Sequence, residues 1–456
     1  MSELPTDLAH RLRSHGQEHV LLGWEQLSSI EQSDLVQQLS GIDLTQLEQL
    51  YTQREETFTL PGADRISPMP VEGPESIDAS MIAQGEAALR AGQVAALIVA
   101  GGQGSRLGFE HPKGMFPVGP ISNATLFQIH AEKVLAISRR YGRPMPLLIM
   151  TSPATHAETI DYFEKEQFFG LPKEQVQFFQ QGTMPALNVQ TGRLLLERRG
   201  VIFNSPNGHG GTLTALNETG LLNDLKNHGI RQIFYFQVDN PLVRIGDPAL
   251  LGLHIARLAE VSVKVIDKND PNEKMGVFAL VDGKLAIIEY IDMPAQLNEL
   301  LGKDGKLVYR AANPAIHLFD VEFLERVTRG PSSLPFHVAK KRVPCLDASG
   351  NPIDPLEPNA LKFEMFIFDA LPMAKRWVAL RSTRREEFAP LKNGEGADSP
   401  KTVKQGLLDL ASDWLNECGI KVKVPVEISP LFALDATELK AKLPTNFNPT
   451  NETYLK

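Results

Sequence analysis

The stretch AGGQGSRLGFEHPKG, residues 100–114, crowds glycine together with one arginine and one lysine. Glycine removes side chains so that main-chain N–H groups can approach an anion or a flat base closely. Arg106 and Lys113 suit the phosphate oxygens such an anion would carry. Spacing discriminates among the familiar loops of this kind. An ATP-type phosphate loop needs Ser or Thr after its lysine, and here Gly114 follows Lys113. A dinucleotide loop needs GxGxxG and an acidic residue about 20 positions on. Gly102, Gly104 and Gly108 are spaced GxGxxxG instead, and a dinucleotide leaves the two cations without a purpose. A flexible linker would not follow a buried strand directly. A second glycine-rich run, PNGHGG at 206–211, suggests another close ligand wall. Asp239, in QVDN, is a carboxylate able to share a divalent cation with a polyphosphate; an Asx turn helped by Pro241 fits the same residues equally well.

These groups need elements to position them. Val94–Ala100 (VAALIVA) is an apolar run expected to form a strand buried on both faces. Thr125–Arg140 is expected as a helix, with Thr125 as its cap, Gln128 completing a capping box, and Gly142 and Pro144 beyond its end. Leu147–Met150 and Ile233–Val238 are further strands. Strands alternating with helices predict an α/β fold with a doubly wound, mostly parallel sheet. Ligands of such sheets bind beyond the carboxyl ends of the strands, which places residues 100–113, Asp239 and Asn240 at one mouth.

Helical spacing over residues 5–52 predicts a small helical N-terminal unit, and Pro and Gly at linker density over 59–77 mark a boundary. From about 381 the chain becomes irregular, then predicts a helix at 402–418 and a short strand within IKVKVPVEIS. The expected units are 1–75, helical; 76–380, binding and catalysis; and 381–456, a C-terminal unit touching the site. The 456 residues, 42% hydrophobic and 22% charged, are those of a globular protein with more than one core. A net charge of -9 argues against nucleic acid as a partner, and no apolar run is long enough to span a bilayer. Two cysteines give neither a disulfide framework nor a metal-ligand spacing, and the N-terminus lacks a secretory core, so the expected compartment is the cytoplasm.

AGGQGSRLG followed by PKG resembles the signature of the sugar nucleotidyltransferases, and Gln103 is the form found in UDP-N-acetylhexosamine pyrophosphorylases. TLFQIHAEK, FFGLPKEQVQFFQQGTMPAL, PNGHGGTLTAL, YFQVDNPLVRIGDP, MGV, IEY, AANPAIHLF, LKFEMFIFDAL and REEFAPLKN follow in the family's order. The resemblance covers about residues 90–405. It implies UTP and a sugar 1-phosphate as substrates, a UDP-sugar and pyrophosphate as products, and Mg²⁺ as cofactor. It places Val99, Ala100, Gly101 and Gly102 against the nucleotide, Arg106 on the β- and γ-phosphates, Lys113 near the α-phosphate, Gln181 on the uracil edge and Gly208 against the base. Asp239 is the implied metal ligand. Gly276, Glu289 and Asn313 align with hexose contacts, and Phe366 and Phe368 with the wall around an N-acetyl group. Lys362 and Lys392 supply further positive charge. The residues Phe363, Phe366, Ile367, Ala370 and Leu371 have core-helix spacing, so Lys362 is expected on a helix. His209 departs from the pattern: the hexosamine enzymes carry Asn there, whereas UDP-glucose pyrophosphorylases carry a GHG. N-acetylglucosamine 1-phosphate is the expected acceptor, with glucose or galactose 1-phosphate the alternative and a non-catalytic nucleotide-binding protein a remote one.

Overall fold

The computed structural model describes residues 4–55, 60–329 and 334–456; the expected linker's first residue, Thr59, and the extreme N-terminus lie outside them. The chain forms two compact units. One comprises Met1–Leu60, Gln181–Gly211 and Leu334–Asp369; the other comprises Pro61–Gln180, Thr212–Ser333 and Ala370–Lys456. The units are thus not the three consecutive blocks 1–75, 76–380 and 381–456. Packing explains the difference, because strands remote in sequence complete each core.

The larger unit is built on one sheet of eleven strands: β1 (Ile66–Pro68), β2 (Val94–Val99), β3 (Leu147–Thr151), β4 (Val176–Gln180), β5 (Gln232–Gln237), β6 (Val261–Asp267), β7 (Val277–Val281), β8 (Lys284–Ile288), β9 (Ala311–Ala312), β10 (His317–Asp320) and β11 (Trp377–Arg381). Their order is β1-β7-β9-β6-β10-β5-β2-β3-β4, with β8 added to β7 and β11 to β6. The block β5-β2-β3-β4 is parallel throughout, and this is the doubly wound half the α/β reading anticipates. Beyond β10 the sheet continues as a mainly antiparallel wing. β1 falls inside the stretch expected as a linker, and β11 carries the start of the irregular C-terminal region into the sheet.

Val94–Ile98 of β2 are fully buried, as a strand covered on both faces requires. The helix Leu126–Tyr141 covers this half with Phe127, Ala131 and Val134 in the core. Thr125 caps it by accepting from the Gln128 main-chain N–H at 3.2 Å, and Gly142 closes it in the left-handed region. The expected capping box does not form, because the Gln128 side chain donates to Glu132 instead (2.9 Å).

The smaller unit packs the helices Thr6–Ser14, Ser29–Ser40 and Leu44–Thr52 on chain from two later segments; Leu12, Leu35, Leu39 and Leu47 share a core with Leu187, Leu194, Ile202, Leu361 and Phe363. The segment carrying Lys362 corrects the expectation of a helix. Ala360–Met365 is a strand paired antiparallel with Phe336–Lys341, followed by a short 3-10 segment, Ile367–Met373. Its burial alternates strictly from Leu361 to Ile367, a period of two that outweighed the apparent helical spacing of the aromatics.

Candidate active site

The first glycine loop leaves the carboxyl end of β2 at Val99 and the buried Ala100. It runs through Gly101 and Gly102, makes a single 3-10 turn at Ser105–Leu107, and returns to a second at Lys113–Met115. Gly104 N–H donates to the His111 carbonyl and Lys113 N–H to the Gly102 carbonyl, each at 3.0 Å, so the loop is a closed frame. Its glycines serve different ends. A Cβ on Gly104 would strike the Phe109 main chain at 2.7 Å, and one on Gly114 would overlap the Phe127 ring. A Cβ on Gly102 would meet nothing within 4 Å, and its backbone is not left-handed. Neither packing nor backbone conformation therefore accounts for Gly102. Arg106 stands exposed on the first 3-10 turn.

Lys113 reaches back across the mouth to Asp239, with Nζ 3.9 Å from Oδ2. Asp239 directly follows Val238 at the end of β5, a strand paired in register with β2, so both chain ends emerge side by side. From the C-terminal region, Leu391 N–H donates to the Asp239 carbonyl (2.8 Å), and the Asn240 amide joins the Glu387 carbonyl (2.7 Å) and the Ala389 N–H (3.1 Å). This segment carries Lys392, whose Nζ lies 5.6 Å over the Phe388 ring. Gly394 approaches the main chain of Arg106 and Leu107, an added Cβ lying 3.6 Å from the Arg106 carbonyl. Main-chain contacts thereby bring together the segments that carry Arg106, Lys113, Asp239 and Lys392, with Lys392 Nζ itself 4.0 Å from Asp398 Oδ2. Among the described residues no group of three His, Cys, Asp or Glu side chains could hold a metal ion. Asp239 alone offers one nearly buried carboxylate, which fits a hard divalent cation drawing its remaining ligands from phosphate oxygens and water.

The three residues aligned with hexose contacts also come together in this unit. Asn313 N–H donates to the Gly276 carbonyl (3.0 Å), and a Cβ on Gly276 would stand 3.0 Å from Glu289 Oε1. Asn313 Oδ1 accepts from Ala315 N–H at 2.8 Å, which fixes its amide.

In the smaller unit, Gln181 is buried, and its neighbour Gly182 accepts from Asn207 N–H (3.0 Å), joining it to the second glycine loop. Gly208 has φ +82°, and a Cβ there would overlap the Met365 carbonyl, so glycine is required twice over. His209 lies against Phe366 (ring centroids 5.4 Å, interplanar angle 16°) and Phe368 (4.7 Å), and His337 stacks on Phe366 (4.5 Å). Burial pushes the His209 imidazole down to about 4, with Asp369 opposing the shift and His337 adding to it. The Ile367 N–H donates to His209 Nδ1 at 3.3 Å, so the neutral ring carries its proton on Nε2. Lys362 lies 5.3 Å over the Phe203 ring; burial lowers its pKa, opposed by Glu364.

Against this geometry, the family model for UTP–glucose-1-phosphate uridylyltransferase matches residues 46–418. The chain belongs to that family. Enzymes of the family are generally divalent-metal dependent. The chain is 35% identical over 458 residues to the UDP-N-acetylglucosamine pyrophosphorylase of Saccharomyces cerevisiae, covering 93% of this chain and 94% of that one. It is 35% identical over 441 residues to human UDP-N-acetylhexosamine pyrophosphorylase-like protein 1, covering 91% and 86%. The crystal structure of the Trypanosoma brucei UDP-N-acetylglucosamine pyrophosphorylase in complex with an inhibitor superposes with a TM-score of 0.83 at 28% identity, over 100% of this chain and 98% of that one. A UDP-glucose phosphorylase from Trypanosoma brucei shares the fold at a TM-score of 0.65 and 18% identity, over 91% of this chain and 87% of that one. Among the described residues no helix is long and apolar enough to cross a membrane.

Asn240 was expected at this mouth, but Glu387, which with it holds the Lys392 segment on Asp239, was not singled out from the sequence. A signal existed in β6, where Lys264 interrupts a run of valines and, at 1% exposure, needs buried anionic partners.

Proposed function

We propose that this protein is a uridylyltransferase that joins UTP to a hexose 1-phosphate, releasing pyrophosphate, with N-acetylglucosamine 1-phosphate as its preferred acceptor. The observation that supports this reading is the pairing of Lys113 with Asp239 at the ends of β2 and β5, with the segments carrying Arg106 and Lys392 packed beside them. The acceptor is already an anion. Its phosphate oxygen attacks the α-phosphorus of UTP in line; the new O–P bond forms as the bond to the β-phosphate breaks, and pyrophosphate departs with the electron pair. No protein nucleophile or base is needed, so the work is alignment and charge compensation.

Lys113 supplies charge beside the α-phosphate, and Arg106 holds the β- and γ-phosphates that leave. Lys392 completes the cationic ring from the C-terminal segment. We assign Mg²⁺ to Asp239, where it would offset phosphate charge. Gly101 and Gly102 bring main-chain N–H groups to the nucleotide, Gln181 reads the uracil edge, and Gly208 lies against the base. Gly276, Glu289 and Asn313 receive the sugar hydroxyls, Phe366 and Phe368 the acetamido methyl, and Lys362 adds positive charge. Two free thiols, Cys345 and Cys418, accord with a reducing, cytoplasmic setting.

His209 favours a second reading, with glucose or galactose 1-phosphate as acceptor. Its Nε2–H is a donor that suits a hydroxyl as well as an acetamido carbonyl. Pyrophosphate release from UTP and Mg²⁺ across a panel of sugar 1-phosphates tests both. The highest kcat/KM is expected for N-acetylglucosamine 1-phosphate; activity confined to the non-acetylated esters replaces the first acceptor with the second, and inactivity on all of them rejects the reaction.

A further inference from the structure

The strand β6 buries a lysine where its neighbours are valines. Lys264 is 1% exposed, its Nζ lies 2.7 Å from Asp247 Oδ2, and it donates to Glu387 Oε1. Asp247 and Glu387 are themselves 3% and 5% exposed. Burial pulls the Lys264 ammonium down, but the two carboxylates outweigh it and raise its pKa above the ordinary lysine value. Ser382 Oγ donates to the same Glu387 oxygen at 2.9 Å. A buried ion triad is a poor way to gain stability, since apolar residues of similar volume commonly do as well or better. Its better-attested use is to fix one arrangement among several.

What this triad fixes can be followed atom by atom. The Glu387 side chain is held by Lys264 and Ser382, and its own carbonyl accepts from the Asn240 amide at 2.7 Å. Asn240 Oδ1 accepts from Ala389 N–H at 3.1 Å, and two residues on, Leu391 N–H donates to the Asp239 carbonyl at 2.8 Å. Lys392 is the next residue. Helix Arg384–Glu387 is only one turn long, and the segment after it has no regular structure as far as Pro400, so Glu387 is its one buried ionic anchor among the described residues.

We propose that Glu387, locked by Lys264 and Asp247, is a positioning residue that sets Lys392 over the reacting phosphates. The inference rests on the role given to Lys392 above. Its test is a double-mutant cycle on kcat for pyrophosphate release from UTP, Mg²⁺ and N-acetylglucosamine 1-phosphate, using Glu387→Gln, Lys392→Ala and the double variant, each checked for a cooperative thermal transition. Glu387→Gln is expected to lower kcat by on the order of tenfold in the wild-type background, because a displaced lysine forfeits alignment. In the Lys392→Ala background the same change should cost less than about twofold, since the group being positioned is gone. A purely structural role predicts equal losses in both backgrounds, and that result overturns the inference while leaving Lys392 in place. Wild-type kcat for Lys392→Ala instead refutes the role of Lys392 and removes the inference with it. If Glu387→Gln fails to fold, Ser382→Ala, which deletes one hydrogen bond to the same oxygen, replaces it. A loss that vanishes without Lys392 supports the proposal; an equal loss, or none, overturns it.

Discussion

Replacing Lys113 by alanine removes one ammonium from the mouth of the sheet while sparing the loop that carries it. The main-chain N–H of residue 113 still donates to the Gly102 carbonyl, and Gly114 still fits beneath Phe127, so the frame of the loop survives the change. The loss can therefore be charged to the side chain. In the structure Nζ lies 3.9 Å from Asp239 Oδ2, with the two side chains 21% and 11% exposed. Two unit charges at that separation interact by about 4 kcal/mol at an effective dielectric constant of about 20. About half a unit of charge developing on a phosphoryl oxygen, at this distance or at hydrogen-bond range, is stabilised by about 2 to 3 kcal/mol on the same scale. That amounts to about a hundredfold in rate. Initial rates of pyrophosphate release at saturating UTP, Mg²⁺ and N-acetylglucosamine 1-phosphate should show this drop in kcat, in a variant that still unfolds in one cooperative transition at a midpoint lowered by the loss of Asp239's partner. A folded Lys113→Ala enzyme with kcat within about twofold of wild type would refute the argument, because the charge it assigns to the transition state would have to be met elsewhere.

The two kinds of glycine should separate under substitution. Gly114→Ala overpacks Phe127 and is expected to destabilise the fold by about 1 to 3 kcal/mol in denaturant titration, whereas Gly102→Ala should leave stability unchanged and raise KM for UTP. His209→Asn should shift the kcat/KM ratio between N-acetylated and plain sugar phosphates; an unchanged ratio removes His209 from specificity. Acid should weaken the fold through buried imidazoles. Burial, with Lys133 adding to it, pushes His130 down to about 3 while its Nε2–H donates to the Val238 carbonyl (3.0 Å). The unfolded chain takes up that proton near pH 6.5 and the folded one does not, so this stabilisation is complete above about pH 6.5 and is lost as pH falls towards 3. His130→Gln keeps a donor for Val238 and should flatten the fall in thermal midpoint between pH 7 and 4; the same slope in both proteins would contradict the assignment.

Three of the four strands of the parallel half were legible because they are short, apolar runs, two of them separated by a well-capped helix, whereas β4 was not read as a strand. Val94–Val99 and Gln232–Gln237 lie within a residue of where periodicity puts them, and their ends locate the Lys113–Asp239 pair. The antiparallel wing was not legible. β9 is two residues long, and β1 hides in a Pro-rich run that carries no alternation of its own. Its pairing is decided by partners more than 200 residues away, such as Val281 for Ile66, and no local pattern records them. The Lys362 segment failed for a different reason. Phe363, Phe366, Ile367, Ala370 and Leu371 match a helical period, yet the alternation Leu361, Phe363, Met365 on one side and Lys362, Glu364, Phe366 on the other was present in the same residues. Short apolar runs satisfy both periods, and the paired strand Phe336–Lys341, supplied by remote chain, decided between them.

The same distinction governs the site. The residues proposed to meet the ligand leave a mark in sequence, because glycines crowded with cations just after a buried strand suit an anion. Residues that hold those groups in place do not, since an asparagine accepting from Ala389 or a glutamate beneath it looks like any other polar residue. Lys264 is the exception that can be read in advance. A charge among valines in a buried strand has to be matched by opposite charge from elsewhere in the fold, and the two carboxylates that match it stand on separate elements, Asp247 at the cap of helix Pro248–Ala256 and Glu387 at the end of Arg384–Glu387. One misplaced-looking lysine thus predicts that three distant pieces of chain meet, and that the segment after Glu387, which ends in Lys392, has a fixed address on the sheet.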